Sequence, residues 1–408
     1  MRILVYPHAM EVGGSQLNAV ELAAAVQRLG HEVSVIGEPG PLVGHVTDAG
    51  LEHLPLSPER RRPSPTTVRL LRDLAVQRGL DVVHGYEWPP GVEAFYASLR
   101  GPAAAVCTIM SMSVAPFLPS SLPLVVGTRE IQERAAPGRR HVHLIEPPVD
   151  VAANAPGHPV EAFRHEFGLS GHVLGEGPLD VVVVGRLVPE LKLEGLLTAI
   201  DVTGRLAGEL DVRLVVVGDG PARAEVEERA AAANAAAGRR VVVLTGQLLD
   251  PRPAYAAASV CLGMGGSALR SLAFAKPLIV QGEHGFFELL TPETEKTFLG
   301  QGWYGLGDGR ETGGPRLEAL LRRLHAGPGL RHELGEYGRR LVVERFSLER
   351  AARVQVEIYE RAVTERPAAL DALGTAAGVL NYKLRRRYDR LRGTHARDDF
   401  NTVAKARG

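Results

Sequence analysis

Apolar residues along this chain come in short runs rather than long stripes. Ile3-Leu4-Val5-Tyr6, Glu32-Val33-Ser34-Val35-Ile36, Asp81-Val82-Val83-His84, residues 104–109 and Leu124-Val125-Val126-Gly127 each have strand length. Between them, 16–29 and 68–78 carry apolar residues at helical spacing, and Gly30 closes the first of these helices. From 151 to 178 the periodicity weakens and Pro, Gly, His and Asn accumulate, which reads as a linker with a short helix at 160–167. A second alternation begins at Leu179, with strands at 181–184, 213–217, 241–244, 259–262 and 278–280. Helices at 194–206, 222–236 and 317–324 fall among and after these strands. Such alternation predicts an α/β protein with two Rossmann-like domains, 1–150 and 179–345, facing a central cleft that is the default binding site.

The last segment, 366–408, breaks the pattern. Residues 381–392 are dense in Lys and Arg, and Leu380, Leu384, Tyr388 and Leu391 recur at helical spacing. Two readings stay open: a basic amphipathic helix on an anionic membrane surface, or a solvated helix and partly ordered tail, with poor order expected beyond Arg397.

Composition narrows the class. At 408 residues the chain exceeds one ordinary core. Lys plus Arg and Asp plus Glu both number 47, so no basic excess points to nucleic acid. Cys107 and Cys261 are the only cysteines, far apart and without metal-ligand spacing, which suits two reduced buried thiols and a cytoplasmic setting. No run reaches the length of a membrane span, and Met1 leads straight into a strand rather than a signal peptide. The first strand is not followed by Gly-x-Gly-x-x-Gly, which argues against a dinucleotide-dependent oxidoreductase.

The strongest candidate chemistry follows the run Val181-Val182-Val183-Val184. Gly185 allows a sharp turn at the strand's carboxyl end, where open α/β sheets bind ligands. Arg186 can fork onto phosphate oxygens, and Lys192 adds a mobile point charge.

Several landmarks in order resemble the retaining glycosyltransferases of the GT-B fold, the large family-four group. Gly13-Gly14-Ser15-Gln16 is similar to the glycine-rich turn opening that family's first helix, and Leu29-Gly30-His31-Glu32-Val33 to its second strand. Asp81-Val82-Val83-His84, Gly185-Arg186 with Lys192, Gly218-Asp219-Gly220-Pro221 and Thr245-Gly246-Gln247 follow in the same sequence. Arg345-Phe346-Ser347 and Ile358-Tyr359 resemble the closing helix, here 346–365, which in this fold returns to the first domain.

The resemblance implies transfer of a sugar from a nucleoside diphosphate sugar to a hydroxyl acceptor with retention, without a metal or other cofactor. It implies that Arg186 and Lys192 stabilise the leaving diphosphate, with Gly13 and Gly14 approaching it. Gly185, Gly218, Gly246, Gly263, Gly265, Ser267, Arg270, Glu283, His284 and Glu288 are the further donor-side candidates. His8, His84, Tyr86, Glu87 and Met110 are the acceptor-side candidates, the acceptor being a glycan, a lipid-linked glycan or a metabolite. Contact with the inner membrane face through the basic tail is part of the same expectation, and nucleic acid is not a partner.

The chain departs from the family at three places. Leu191 intervenes before Lys192, one residue more than the common spacing. Leu262 and Arg270 stand where the family often has two glutamates; leucine accepts no hydrogen bond and Arg270 reverses the charge. Met110 stands where a histidine is common, and it cannot exchange protons, which leaves His8 and His84 as substitutes. Altered donor contacts through Arg270, a backbone cradle at 263–267, or a partner protein that binds donor without turnover are the readings these departures allow.

Overall fold

The computed structural model describes residues 1–11, 13–58, 62–169, 178–189, 191–365 and 367–392. Glu190, residues 170–177 and the segment beyond Arg397 named above lie outside the described residues. The chain forms two compact units, Met1–Pro148 with Leu348–Gly408, and Val149–Ser347.

In chain order the first unit contains β1 (Arg2–Tyr6), α1 (Gly14–Arg28), β2 (Glu32–Gly37), α2 (Leu42–Asp48), β3 (Glu52–Pro55) and α3 (Pro65–Arg78). β4 (Val82–Tyr86), α4 (Trp88–Ser98), β5 (Ala104–Ile109), β6 (Leu124–Val126), α5 (Arg129–Ala135) and β7 (Val142–Leu144) follow. The second unit contains α6 (Glu161–Glu166), β8 (Leu179–Val184), α7 (Leu193–Leu206), β9 (Val212–Val217), α8 (Arg223–Ala237), β10 (Val242–Gly246), α9 (Arg252–Ala257) and β11 (Val260–Gly263). It continues through α10 (Gly265–Ala273), β12 (Leu278–Gln281), β13 (Phe287–Leu289), α11 (Glu295–Gln301), α12 (Arg310–Ala326) and α13 (Pro328–Arg345). The chain then re-enters the first unit with α14 (Leu348–Thr364) and α15 (Asp371–Leu391).

Among the described residues the first sheet runs β3-β2-β1-β4-β5-β6-β7 and is parallel throughout. The second runs β10-β9-β8-β11-β12-β13, parallel except for β13, where Val280 pairs with Glu288. In each sheet the strand order reverses beside the first strand, between β1 and β4 and between β8 and β11. Ligands of open α/β sheets gather at the carboxyl ends flanking such a switch point.

The apolar runs read as strands because both faces of each sheet are covered. Val181 and Val183 join one buried cluster with Leu196, Ile200 and Leu317, while Val182 joins another with Leu269, Leu272 and Phe274. Ile3 and Val5 pack on one side with Ala19, Ala23 and Tyr359; Leu4 and Tyr6 pack on the other with Leu71 and Phe95. Each such side chain contributes roughly 1.5–3 kcal/mol by leaving water. α3 shows the local signals plainly: Ser64 caps it by accepting from Thr67 N at 3.5 Å, Pro65 opens it, and Gly79 ends it at φ 60°.

Three strands, β3, β7 and β13, lay outside the sequence expectation. All are short edge-side strands of three or four residues, and Glu52–Pro55 and Val142–Leu144 lack the fully buried alternation that marks the others. The described part of the expected linker packs into the second unit. Phe163 and Leu169 are buried there, Val149 N donates to Phe346 O, and Arg339 donates to the carbonyls of Val151 and Asn154. Both cysteines are buried and free, and burial pushes the Cys261 thiol up to about 12.

Candidate functional site

In the second unit, β8 delivers Gly185 and Arg186 to the carboxyl edge beside the switch point. The following residues double back so that Lys192 Nζ lies 3.6 Å from where a Cβ on Gly185 would stand. The extra residue is accommodated at Leu191, whose φ of 64° puts a leucine in the left-handed region. That conformation costs about 1–2 kcal/mol for a residue with a Cβ, and it is what brings the ammonium back over the glycine.

Arg186 is exposed and Lys192 is half-buried. Burial, with Arg186 adding repulsion, holds the Lys192 ammonium below its ordinary pKa. Among the described residues neither cation has a carboxylate within ion-pair distance, whereas nine arginines of this unit do. Two adjoining cations without a counter-charge favour an anion in the space between them.

That space is an open pocket lined by Gly185, Arg186, Lys192, Met264, Ser267 and Gln281, together with apolar residues of β8 and α7. Gly263 and Gly265 turn the chain from β11 into α10, with Gly265 at φ 53°. Ser267 Oγ donates to Met264 O at 2.9 Å, fixing the first turn of α10 against the pocket. Arg270 lies further along α10, where its charge acts on the Tyr255 phenol. Leu262, in contrast, is a core residue packed with the β8 valines. It has no surface to offer a sugar.

Gln281 is one residue that sequence reasoning missed. It ends β12, is 3 % exposed, and its Oε1 has no hydrogen-bond partner among the described residues. A Cβ on Gly195 would stand 3.1 Å from that oxygen, so the absence of a side chain there leaves room for the amide against the first turn of α7. An unpaired buried amide costs roughly 1–3 kcal/mol, which singles the position out. The available signal was a polar residue closing the apolar run Leu278-Ile279-Val280 at a carboxyl edge.

The other expected donor-side residues scaffold this pocket or stand apart from it. A Cβ on Gly218 would meet Gly185 O at 1.9 Å, so that glycine is required for β9 and the turn after β8 to pack. Gly246 accepts from Gly218 N and extends the same framework. Glu283 accepts from the Tyr304 hydroxyl at 2.5 Å, and Glu288 is ion-paired with Arg316. His284, at φ 54°, turns the loop, and its carbonyl accepts from Gly309 N. Glu194, unanticipated, fixes the loop from below: its carboxylate accepts from Gly285 N at 2.8 Å and from Arg310 Nε at 2.8 Å. Glu283 and Glu288, the residues expected near sugar hydroxyls, each hold one protein partner and keep further acceptor capacity.

In the first unit, Gly13 precedes α1 as its cap and Gly14 opens it, with nothing near a Cβ at Gly14. His8 follows β1, with Nε2 3.2 Å from Gln16 Nε2. His84 and Tyr86, expected on the acceptor side, are interior residues. His84 is fully buried between the Tyr359 hydroxyl and Thr108 Oγ1, each 2.7 Å away, and burial pushes its pKa down to about 3. It is a neutral structural group that cannot reach a substrate. Tyr86 is 1 % exposed.

Glu87 is different. Its φ of 67° and ψ of 170° fall in a region that is nearly glycine-only, and such strain of about 1–3 kcal/mol clusters at functional sites. Its carboxylate accepts from Met110 N at 3.0 Å, Ser111 N at 3.2 Å and Ser111 Oγ at 2.6 Å. Burial raises its pKa against the pull of those donors. Glu87 thereby holds the half-buried Met110 at the end of β5.

Comparison with known proteins agrees with this geometry. A family model for glycosyl transferases group 1 matches residues 178–301, and one for glycosyltransferase family 4 matches 12–119. No curated protein sequence matches the chain. A glycosyltransferase from Rickettsia africae ESF-5 superposes with a TM-score of 0.71 at 17% identity, over 89% of this chain and 98% of its own. Anabaena Alr3699/HepE in complex with UDP gives 0.66 at 14% identity, over 88% and 100%. The catalytic domain of Starch Synthase IV from Arabidopsis thaliana, bound to ADP and acarbose, gives 0.62 at 14% identity, over 90% and 100%. Two parallel-sheet α/β units of GT-B architecture and two matched family models thus support a glycosyltransferase.

Proposed function

We propose that the chain transfers a hexosyl group from a nucleoside diphosphate sugar to a hydroxyl acceptor with retention at the anomeric carbon. One observation carries the reading: Arg186 and Lys192 adjoin at the β8 edge without a carboxylate counter-charge among the described residues. The acceptor oxygen forms its bond to the anomeric carbon as the bond to the diphosphate oxygen breaks. The acceptor proton passes to the departing phosphate. Arg186 and Lys192 meet the charge that develops on that oxygen, an electrostatic contribution on the order of 3–4 kcal/mol for a well-placed donor. This role gives the leaving group its stabilisation from side chains and needs no metal ion.

Gln281 and Ser267 then supply hydroxyl-recognising dipoles on the pocket wall. Solved structures of similar architecture carry UDP, UDP-glucose or ADP, so a pyrimidine or a purine base is compatible with the fold. A donor-binding protein without turnover is the second reading, favoured by the burial of Leu262 in the core and by Met110 in place of a proton-exchanging residue.

The test is a panel of nucleoside diphosphate sugars followed by thermal shift and by release of free diphosphate, with Arg186→Ala as control. Stabilisation and diphosphate release, both lost in the variant, would bear out the transferase. Stabilisation without release, even with acceptors supplied, would favour the second reading. No response to any donor would sink both.

A further inference from the structure

The function proposed above leaves α15 without a role. One face of this helix is docked on the first unit. Thr375 and Val379 are buried, Tyr382 meets Trp88 edge to face at 5.5 Å and Phe117 at a tilt at 5.3 Å, and Gly378 lies against Phe117. At its start the Asp371 carboxylate accepts from Ser121 N at 2.7 Å and from Ser120 Oγ, and the Tyr96 hydroxyl donates to Ala372 O at 2.7 Å. The helix is thus clamped in one orientation rather than free to roll.

That orientation turns a second apolar stripe outward. At about 100° per residue, Leu373, Leu380, Leu384 and Leu391 fall within about 40° of one another, roughly opposite Thr375, Val379 and Tyr382. They are 78%, 60%, 58% and 81% exposed. Tyr388 borders the stripe at 51% exposure, with the Arg392 guanidinium stacked 4.5 Å from its ring centre. A globular protein does not ordinarily leave four leucines in line on one helix face.

The flanks say what covers them. Lys383, Arg387 and Arg390 run along one side of the stripe, and Arg385 and Arg392 along the other, all exposed. The acids of the helix are Asp371, which is engaged with Ser120 and Ser121, and Asp389, which lies toward the docked side and is not exposed. A second copy of this helix laid on the first would press basic rows together without an acid between them. A surface that is apolar inside and negative at its boundary complements both features at once.

We propose that α15 is a docking helix for an anionic lipid bilayer, with Leu373, Leu380, Leu384 and Leu391 entering the acyl boundary and the flanking Lys and Arg meeting lipid phosphates. Because α15 rests on Trp88, which directly follows Glu87, the bilayer contact is mechanically tied to the carboxyl end of β4. The contact is peripheral, since no helix among the described residues is long and apolar enough to cross a membrane.

The test uses the full chain in vesicle flotation, with phosphatidylcholine alone or with about 30% phosphatidylglycerol. Wild type is expected to float with the anionic vesicles and to be released as salt rises toward about 0.5 M. Replacing the four leucines together (Leu373→Ser, Leu380→Ser, Leu384→Ser, Leu391→Ser) is expected to lower the bound fraction at least about tenfold. Lys383→Gln with Arg387→Gln and Arg390→Gln is expected to remove the preference for anionic lipid. These side chains are exposed, so the thermal midpoint serves as a fold control and should hold within about 2 °C.

Wild type that stays in the aqueous fraction, or a serine variant that floats as well as wild type, overturns the proposal. A dimer in sedimentation that the four serines dissolve would also overturn it and make the stripe a contact between copies. The readout uses no donor, so its failure leaves the donor-site reading untouched.

Discussion

The two sheets share a topology, and the chemistry at their switch points is opposite. Beside β8 and β11 the second unit gathers Arg186, Lys192 and an amide oxygen of Gln281 that is unpaired among the described residues, with the carboxylates of Glu194, Glu283 and Glu288 bound to other protein groups. Beside β1 and β4 the first unit places a buried carboxyl, Glu87, already satisfied by the backbone and hydroxyl of the β5 loop. Among the described residues one edge is positive and short of partners; the other carries a buried carboxyl that is supplied with them. Equivalent positions in a repeated fold therefore carry no fixed function. What the strand ends hold, and whether it is already bonded, decides which edge can take a charged ligand.

The comparison breaks most sharply at Arg186. Arg186→Glu should cut kcat/KM for a nucleoside diphosphate sugar by about 10³ or more, because it places a negative charge where the diphosphate leaves. Steady-state diphosphate release measures this, and an unchanged rate would remove the positive edge from the chemistry.

Glu87→Ala should cost about 2 kcal/mol in urea unfolding, since Met110 N and the Ser111 donors lose their acceptor. The isostere Glu87→Gln sharpens the point through pH. Burial raises the folded pKa of Glu87, so the folded state favours the protonated form. Its stability is greatest below the ordinary carboxyl value and declines as pH climbs through the raised one. Glu87→Gln should flatten that slope, and a pH–stability curve identical to wild type would contradict the burial argument.

Gln281→Leu should raise KM for the donor about tenfold while leaving stability unchanged or improved, because it removes an unpaired buried oxygen. An equal loss of stability and affinity would make Gln281 a packing residue only.

Lys192 supplies a smaller, directional effect. Its folded pKa lies below 10.5, so anion affinity should fall as pH rises through that lowered value, while the group's contribution to stability rises over the same interval. In Lys192→Arg the affinity should stay level with pH, as isothermal titration with the diphosphate would show.

The smallest effect belongs to Leu191. Leu191→Gly relieves a left-handed leucine and should stabilise the second unit by about 1 kcal/mol, with donor affinity retained. A destabilised variant would mean that packing of the leucine outweighs the backbone strain.

Much of this protein was legible before any coordinates. The four valines ending at Gly185, and the polar residues that follow them, gave the central strand of the second sheet and its basic edge. The strands with continuous apolar runs were found because burial on both faces leaves no alternation to misread. β3, β7 and β13 were not, since short edge strands with mixed faces look like loops. The glycines at the ends of β8, β9 and β10 are visible as turns, but only packing separates Gly218, which abuts the Gly185 carbonyl, from Gly246, which does not crowd a neighbour. His84 looks like chemistry at a strand end but is a core hydrogen-bonding group, because β4 runs on to Tyr86 and His84 lies in its buried middle.

Sequence by itself determined the α/β alternation, the positions of the central strands and the cationic character of the β8 edge. These depend on residue type and spacing, which act locally. Tertiary structure alone decided that Leu191 folds Lys192 back over Gly185, that Gln281 Oε1 is left without a partner among the described residues, and that Glu87 is spent on the β5 loop. It also decided which stripe of α15 remains uncovered. Each of these depends on groups far apart in the chain arriving within a few ångströms, and no local pattern encodes which partner arrives first or which is missing.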